Sequence, residues 1–520
     1  MSTKRAIISV HDKTGVAEFA HGLAALGFEI VSSGGTAKHL REQGVAVTDV
    51  ADVTGFPEML DGRVKTLHPK IHAGILARRD KPEHMATIAG QGIPPVDVVC
   101  VNLYPFEQTV AKPGVTEAEA VEQIDIGGPS LVRAAAKNYS AVAVVTDPSQ
   151  YETVLTELRR DGAVGAATRR SLFQAAFALT ARYDAAIAAH FGADRSAGAA
   201  VVPESLDLRL AKVLPLRYGE NPHQPAGFYL RRGSRLPFEQ LHGKEISYNN
   251  ILDLSAAWEL AAEYDRPCCA IVKHTNPCGL GCTGDLRAAY LLARDGELPP
   301  APISRFGGII AVNRPLDLGT AEEIAAPGGF YEVIVAPGFE HGVRELFAGR
   351  KGWGQNVRLV RMTGPAAVDP LRLRSAAGGM LVQAADGTLS DWDALQYATS
   401  LRPTMQQLED LKFAFAAVKH VKSNAIVIAQ HSQLIGVGAG QMNRVASVRL
   451  AAAQAGGRAR GAVLASDGFF PFPDNVDEAA AAGIAAIVQP GGSVKDAEVA
   501  AAAERAGIAM VLTGVRHFRH

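Results

Sequence analysis

The chain has few of the residues that staple or anchor a protein. Cysteine occurs only at Cys100, Cys268, Cys269, Cys278 and Cys282 of 520 positions. The number is odd, and a chain of this size buries a core without cross-links. A disulfide framework is therefore excluded, and a reducing, cytoplasmic setting is expected. No stretch approaches the roughly 20 uninterrupted apolar residues of a membrane span. The apolar run in MSTKRAIISVHDKTG is too short for a signal peptide and predicts a buried strand. An excess of either charge is also missing: Lys plus Arg is 52, Asp plus Glu is 53, and the net charge is −1. That balance argues against a dedicated nucleic-acid binder but leaves room for local anion pockets. With 48% apolar and 20% charged residues, disorder is not the expected state. No short-period repeat is evident.

What the sequence does contain is alternation. Strand signals at Ala6–Val10, Phe28–Ser32, Val96–Leu103 and Ala141–Val145 are separated by helical spacings such as Val16, Phe19, Leu23 and Leu26. This pattern predicts a mostly parallel, doubly wound α/β sheet. A helix is expected from about Thr36, and another over Ser130–Lys137 with Pro129 in its first position. The small, polar text GADRSAGAAVVP marks a boundary. We therefore expect a domain over residues 1–195, a linker over 196–204 and a second region over 205–520. The second region is large for one core and predicts two subdomains. Its strands are expected at Cys269–Lys273, Gly308–Val312, Val333–Ala336, Ala462–Ala465, Ala485–Val488 and Ala509–Leu512. AIVIAQHSQLIGVGAG predicts a hairpin turning on His431–Ser432.

Ligands of open parallel sheets bind beyond the carboxyl ends of the strands. Here the first strand runs into Ser9, His11, Asp12 and Lys13, and the second into Ser33-Gly34-Gly35-Thr36. SSGGT alone reads equally as an anion cradle or as a plain capped turn; the second strand end favours the cradle. The segment Asp61–His72 is charged and aperiodic and reads as a loop. Its His68 and His72 suggest metal, but Pro69 breaks the helix that would align them and no carboxylate completes the set. Asn102–Pro105 and Asp125–Gly128 add further polar strand and helix ends.

In the second region, Arg217–Gln224 is a polar, proline-broken loop, either solvated or anion-binding. Ile271–Gly279 delivers Lys273 and His274 into a turn. Neighbouring strand residues face opposite sides, so both reach one ligand only where the strand ends, as Asn276-Pro277 suggests. A histidine can take a proton from an amine near neutral pH, and a lysine can stabilise an oxyanion. The cysteines with His274 invite comparison with zinc deaminases. However, Pro277-Cys278-Gly279-Leu280-Gly281-Cys282 is one residue too long, and none of the 15 histidines heads an H-x-E. GVGAG (436–440) has its third glycine misplaced for a dinucleotide fingerprint.

SSGGT, TGFPEMLDGRVKTLHPKIHAGIL, VNLYPF and DIGGPSLVRAAAKN closely resemble the cyclohydrolase half of a bifunctional purine-biosynthesis family. That family joins AICAR transformylase to IMP cyclohydrolase (AICAR is 5-aminoimidazole-4-carboxamide ribonucleotide). RYGENPHQ, GKEISYNNILDL, VKHTNPCG, SRFGGIIAVNR, KSNAIVIA, GVGAGQMNRVASVRLA and SDGFFPFPDNVD resemble the transformylase half, in the family's order. The resemblance implies a methylglyoxal-synthase-like (MGS-like) parallel-sheet domain, followed by two cytidine-deaminase-like subdomains without zinc. It implies formyl transfer from 10-formyltetrahydrofolate to AICAR, then closure of the formylated product, FAICAR, to IMP with loss of water.

For ring closure the resemblance implies Lys65, Tyr104, Asp125 and Lys137 around the reacting groups. Ser9, Lys13, Ser33, Gly34, Gly35 and Thr36 would hold the phosphate, with Arg63, Thr66 and Gly127 also on the nucleotide. His11 stands where the family usually has serine. For formyl transfer it implies Lys273 and His274 as catalytic residues. Arg217, Tyr218, Asn249, Gly307, Glu332, Asn424, Arg444, Phe469, Arg516 and His520 would bind substrates. It further implies a homodimer, a reduced folate as co-substrate and no catalytic metal, and leaves a monovalent-cation requirement open.

Overall fold

Buried strands of small and β-branched residues organise both halves of the molecule. The structure, a computed structural model, describes residues 4–60, 63–192, 202–204, 206, 208–231, 234–295, 306–364, 370–387 and 391–520. The chain divides into two units, Met1–Ala199 and Ala200–His520. The expected linker at 196–204 lies mostly outside the described residues, as do Asp61, Gly62, Ser304 and Arg305.

The first unit runs β1 (Lys4–Ser9), α1 (Val16–Ala25), β2 (Phe28–Ser32), α2 (Gly34–Glu42), β3 (Thr48–Asp49), α3 (Val50–Thr54), α4 (Pro69–Leu76) and α5 (Pro82–Gly90). It continues through β4 (Val98–Val101), α6 (Phe106–Val110), α7 (Glu117–Glu122), α8 (Gly127–Lys137), β5 (Ala143–Val145), α9 (Tyr151–Asp161) and α10 (Ala166–Gly192). The strands form one parallel sheet in the order β3-β2-β1-β4-β5. All four residues of β4 are buried, as expected of parallel strands covered on both faces. Helix α1 buries Val16, Phe19, Ala20 and Leu23, the i, i+3, i+4, i+7 stripe that points it at the sheet. The strand order reverses between β1 and β4, the switch point at which such sheets open a crevice.

Three local expectations are corrected. Helix α2 starts at Gly34 rather than Thr36, so the two glycines form its first turn. Pro129 is the third residue of α8, not the first; its missing N–H falls among the amides that have no helical partner in any case. The segment around His68 is not all loop: Pro69 opens α4, and His68 Nδ1 accepts the Lys70 amide at 3.2 Å. Proline here starts a helix instead of breaking one.

The second unit runs β6 (Leu210–Leu216), β7 (Ala226–Arg231), β8 (Phe238–His242), α11 (Tyr248–Ala261), β9 (Cys268–Lys273), β10 (Asn276–Cys282), α12 (Leu286–Asp295), β11 (Gly308–Val312), α13 (Leu318–Ala325) and β12 (Tyr331–Ala336). Then follow α14 (Val343–Gly349), β13 (Arg358–Met362), β14 (Leu371–Ala376), β15 (Gly379–Ala384) and β16 (Gln396–Tyr397). The chain ends through α15 (Met405–Val418), β17 (Ile426–Gln430), β18 (Gln433–Gly438), α16 (Arg444–Ala455), β19 (Val463–Ser466), α17 (Asp474–Ala482), β20 (Ala486–Gln489), α18 (Asp496–Ala506) and β21 (Ala509–Leu512).

Twelve strands join in the order β16-β21-β20-β19-β17-β18-β10-β9-β11-β12-β13-β8. The order is palindromic: a hairpin, then one antiparallel and two parallel neighbours, then an antiparallel edge, on each side of the β10–β18 seam. This is a long-period duplication. Tyr248 matches Met405 and Ala261 matches Val418, 157 positions apart. Even the helix caps correspond, Ser247 with Asn250 and Thr404 with Gln407, each a reciprocal capping box.

Along β9, Cys268, Ala270 and Val272 pack with α11 and α15, while Cys269 and Ile271 pack with α12–α14. In the other half Ile426 and Ile428 face α16–α18. GVGAG finds its explanation here. A Cβ at Gly436 or Gly438 would collide with the backbone of Ala451 or Ser447 on α16. These glycines let a helix lie directly on a strand.

Candidate active sites

In the first unit the crevice is lined by three strand ends. Asn102, just past β4, accepts the His11 and Asp12 amides at 2.6 and 3.0 Å and returns a bond to Asp12 C=O at 2.9 Å. Ser9 closes β1, and Lys13 Nζ lies 3.4 Å from His11 C=O. Helix α2 presents the amides of Gly34, Gly35 and Thr36 at its positive end, with Ser33 at the N-cap. The Thr36 hydroxyl is occupied: it donates to Val10 C=O at 2.9 Å and accepts Val10 N–H at 3.1 Å. Thr36 therefore offers an anion its amide, not its side chain.

Lys65 reaches this helix end. A Cβ on Gly34 would lie 3.2 Å from its Nζ, which pairs with Glu58 at 3.5 Å. Opposite stands Asp125, whose carboxylate accepts Gly128 N–H at 2.8 Å. Burial pushes its carboxyl above the ordinary value, opposed by that amide and by Lys65. The glycines of DIGG are sterically required, because a Cβ at Gly128 would fall on the Asp125 carboxylate and one at Gly127 would sit 3.1 Å from Thr66 Oγ1. The Tyr104 ring meets His11 edge-on at 5.3 Å and 84°. Arg63 is exposed and paired with Glu122.

Among the described residues, no hydrogen bond or ion pair joins Lys137 to Lys65, Tyr104 or Asp125. Lys137 ends α8, about 15 Å along the axis from Gly127, and faces solvent. The sequence reading missed Tyr183 on α10, whose hydroxyl accepts the Asp125 amide at 2.7 Å and donates to Gln123 C=O at 3.1 Å. Sixty residues separate these partners and no motif links them.

In the second unit, Lys273 and His274 stand at the end of β9, as expected, but the chain turns straight back. His274 and Thr275 form a two-residue hairpin loop with φ of 53° and 60°. Lys273 Nζ donates to Phe306 C=O at 3.0 Å, beside Gly307, whose φ is 78°. Arg217 lies over the Tyr218 ring at 4.7 Å and donates to its hydroxyl at 2.9 Å. Asn249 donates to Glu220 C=O at 3.4 Å, and Glu332 accepts from Asn250 at 2.9 Å.

Asn424, Arg444 and Phe469 line a cavity of about 470 Å³ with Met442, Pro471 and Phe518. Arg444 is buried, paired with Asp467 and bonded to Ser466 Oγ and Asn424 Oδ1, each at 2.9 Å. Asn475, also in this wall, has a buried carbonyl oxygen with no partner. Arg516 stacks on Phe518 at 4.3 Å. His520 is reached from Lys422, whose Nζ donates to its C=O at 2.9 Å and whose amide donates to Asn276 Oδ1 at 3.0 Å. The tail is thereby tied to the His274 hairpin. Among the described residues, no hydrogen bond or ion pair joins Arg217, Tyr218, Asn249 or Glu332 to Asn424, Arg444, Phe469 or Arg516.

None of the five cysteines is in a disulfide. Burial pushes the Cys100 thiol up to about 12, so it is not a nucleophile at neutral pH. Among the described residues, no three His, Cys, Asp or Glu side chains gather to hold a metal ion. No helix there is long and apolar enough to cross a membrane.

A helix end with unpaired amides near a lysine and a buried carboxyl in one unit, and a Lys–His strand end with an aromatic-walled cavity in the other, are the features of a two-site α/β enzyme. Comparison with known proteins gives its family. An MGS-like domain matches residues 15–130, and the AICARFT/IMPCHase bienzyme matches residues 135–454. The chain is 48% identical over 527 residues to the bifunctional purine biosynthesis protein PurH of Bacillus mycoides strain KBAB4, covering 99% of this chain and 100% of that one. It is 49% identical over 521 residues to PurH of Listeria welshimeri serovar 6b, with the same coverage. The chain belongs to the AICARFT/IMPCHase bienzyme family. It is a bifunctional enzyme of de novo purine biosynthesis, with formyl-transfer and cyclohydrolase activities.

Proposed function

We propose that the first unit closes FAICAR to IMP and that the second formylates AICAR. The placement of Lys65 between the amide end of α2 and the Asp125 carboxyl carries the first assignment. A nucleotide phosphate on the α2 amides would set its base toward Lys65, Asp125 and Tyr104. The carboxamide nitrogen attacks the formyl carbon, and Lys65 and Tyr104 donate to the developing oxyanion. The carboxamide nitrogen loses one proton as its C–N bond forms, the formamide nitrogen loses its own as the ring C=N bond forms and the C–O bond breaks, and the former formyl oxygen takes up both and departs as water. A carboxyl raised by burial suits Asp125 to this exchange. Lys65→Ala should abolish cyclisation and leave formyl transfer measurable. Loss of both activities in a folded variant would refute separate sites.

For transfer, the AICAR amine is conjugated with its carboxamide and is a poor nucleophile. His274 takes its proton as the nitrogen attacks the formyl carbon of 10-formyltetrahydrofolate. Lys273 stabilises the tetrahedral oxyanion, and N10 leaves as an amine after protonation. The cavity walled by Phe469, Phe472 and Phe518 suits a flat heteroaromatic ring. We place the reduced folate there. The Arg217 group makes no hydrogen bond or ion pair with the Arg444 group among the described residues, and we read the protein as a homodimer in which the two groups are completed across the subunit interface. Dilution to monomer should then remove transfer before cyclisation.

A further inference from the structure

Two consecutive left-handed residues with side chains are costly, most of all for β-branched threonine. Yet the loop that presents His274 consists of His274 and Thr275 in that conformation, without glycine. Asp253 of α11 holds it. One carboxylate oxygen accepts the His274 amide at 3.3 Å and the other accepts the Thr275 amide at 2.7 Å. Burial raises this carboxyl above its ordinary value against those two bonds, so the group is kept at some cost. The duplicated half repeats the device 157 positions on. There Asp410 accepts the amides of His431 and Ser432 at 2.9 and 2.8 Å, and both residues are again left-handed. In that half Gln430 stands in the place of Lys273.

We infer that Asp253 is a positioning residue for formyl transfer: it clamps the strained turn so that the His274 imidazole and the Lys273 ammonium meet the reacting amine and carbonyl together. This rests on the roles given above to Lys273 and His274. Misplacement of a reacting group by about 1 Å can cost on the order of 100-fold in rate, so a loosened turn should tell in turnover.

The test compares Asp253→Asn, Asp410→Asn, Thr275→Gly, the double variant Asp253→Asn with Thr275→Gly, and His274→Ala, all in the full chain. Transfer kcat, AICAR KM, cyclohydrolase rate and melting temperature are measured for each. Asp253→Asn is expected to lower transfer kcat about tenfold or more with little change in KM and an unchanged cyclohydrolase rate. Glycine at 275 accepts the left-handed conformation unaided, so the double variant should regain most of that loss, and it is the decisive readout if Asp253→Asn folds poorly. Asp410→Asn should lower the melting temperature and leave transfer kcat intact. A normal kcat in Asp253→Asn beside an inactive His274→Ala overturns the inference alone. So does an equal kcat loss in Asp410→Asn, or a double variant without rescue. Full transfer in His274→Ala overturns the underlying assignment, and this inference with it.

Discussion

At the scale of single residues, the cyclohydrolase site holds a carboxyl that folding makes harder to ionise. A group with a folded pKa above its unfolded value binds more protons when native, so stability falls as pH rises through the interval between them. For Asp125 that interval starts near the ordinary carboxylate value and runs upward. Asp125→Asn should therefore melt at a higher temperature than the parent at pH 7, the gain fading below about pH 4, while cyclisation is lost. Tyr183→Phe removes the acceptor of the Asp125 amide and should slow cyclisation without touching transfer, as separate assays would report. Thr36→Val leaves two buried Val10 backbone groups unsatisfied. It should cost about 1–3 kcal/mol in denaturant unfolding of the first unit.

Among elements, the C-terminal segment after β21 depends on contacts far from it in sequence. Arg519 Nη1 donates to His420 Nδ1 at 3.1 Å, so the other ring nitrogen, Nε2, carries the proton given to Glu263 at 3.0 Å. Burial pushes the Glu263 carboxyl up, but His420 and Lys419 outweigh it and hold it to about 2. The sign is opposite to that of Asp125. This stabilisation is complete above the ordinary glutamate range and is lost as pH falls toward 2. Glu263→Gln should loosen the tail at neutral pH, seen as faster hydrogen exchange in residues 513–520. Removing the last five residues should cripple transfer and spare cyclisation; unchanged transfer would take Arg516 and His520 out of the site. Gly438→Ala would push α16 off β18, with a loss of about 1–3 kcal/mol or more.

For the whole molecule, the sequence made the α/β alternation, the strand ends and the His431–Ser432 hairpin legible, because period-2 and period-3.6 patterns and turn residues act locally. The helix starts at Pro69 and Gly34 are not legible in the sequence because each residue type both breaks and starts helices, and only the neighbouring backbone decides. Asp253 and Tyr183 were invisible, since the first acts through backbone amides 21 and 22 residues away and the second through one 58 residues away. The register of the duplication is not legible in the sequence, because its halves keep cap and turn positions while exchanging side chains, as Lys273 against Gln430 shows.

The seam between β10 and β18, where Gly281 pairs with Gln433 and the Cys282 amide donates to Ser432 at 3.1 Å, has one more consequence. Severed there, each fragment would present a bare apolar strand to solvent, a template for adhesion to any similar chain. Two such fragments produced apart should precipitate, and mixed during refolding they should find each other and regain formyl transfer. The twelve-strand sheet is then expected to unfold as one cooperative object.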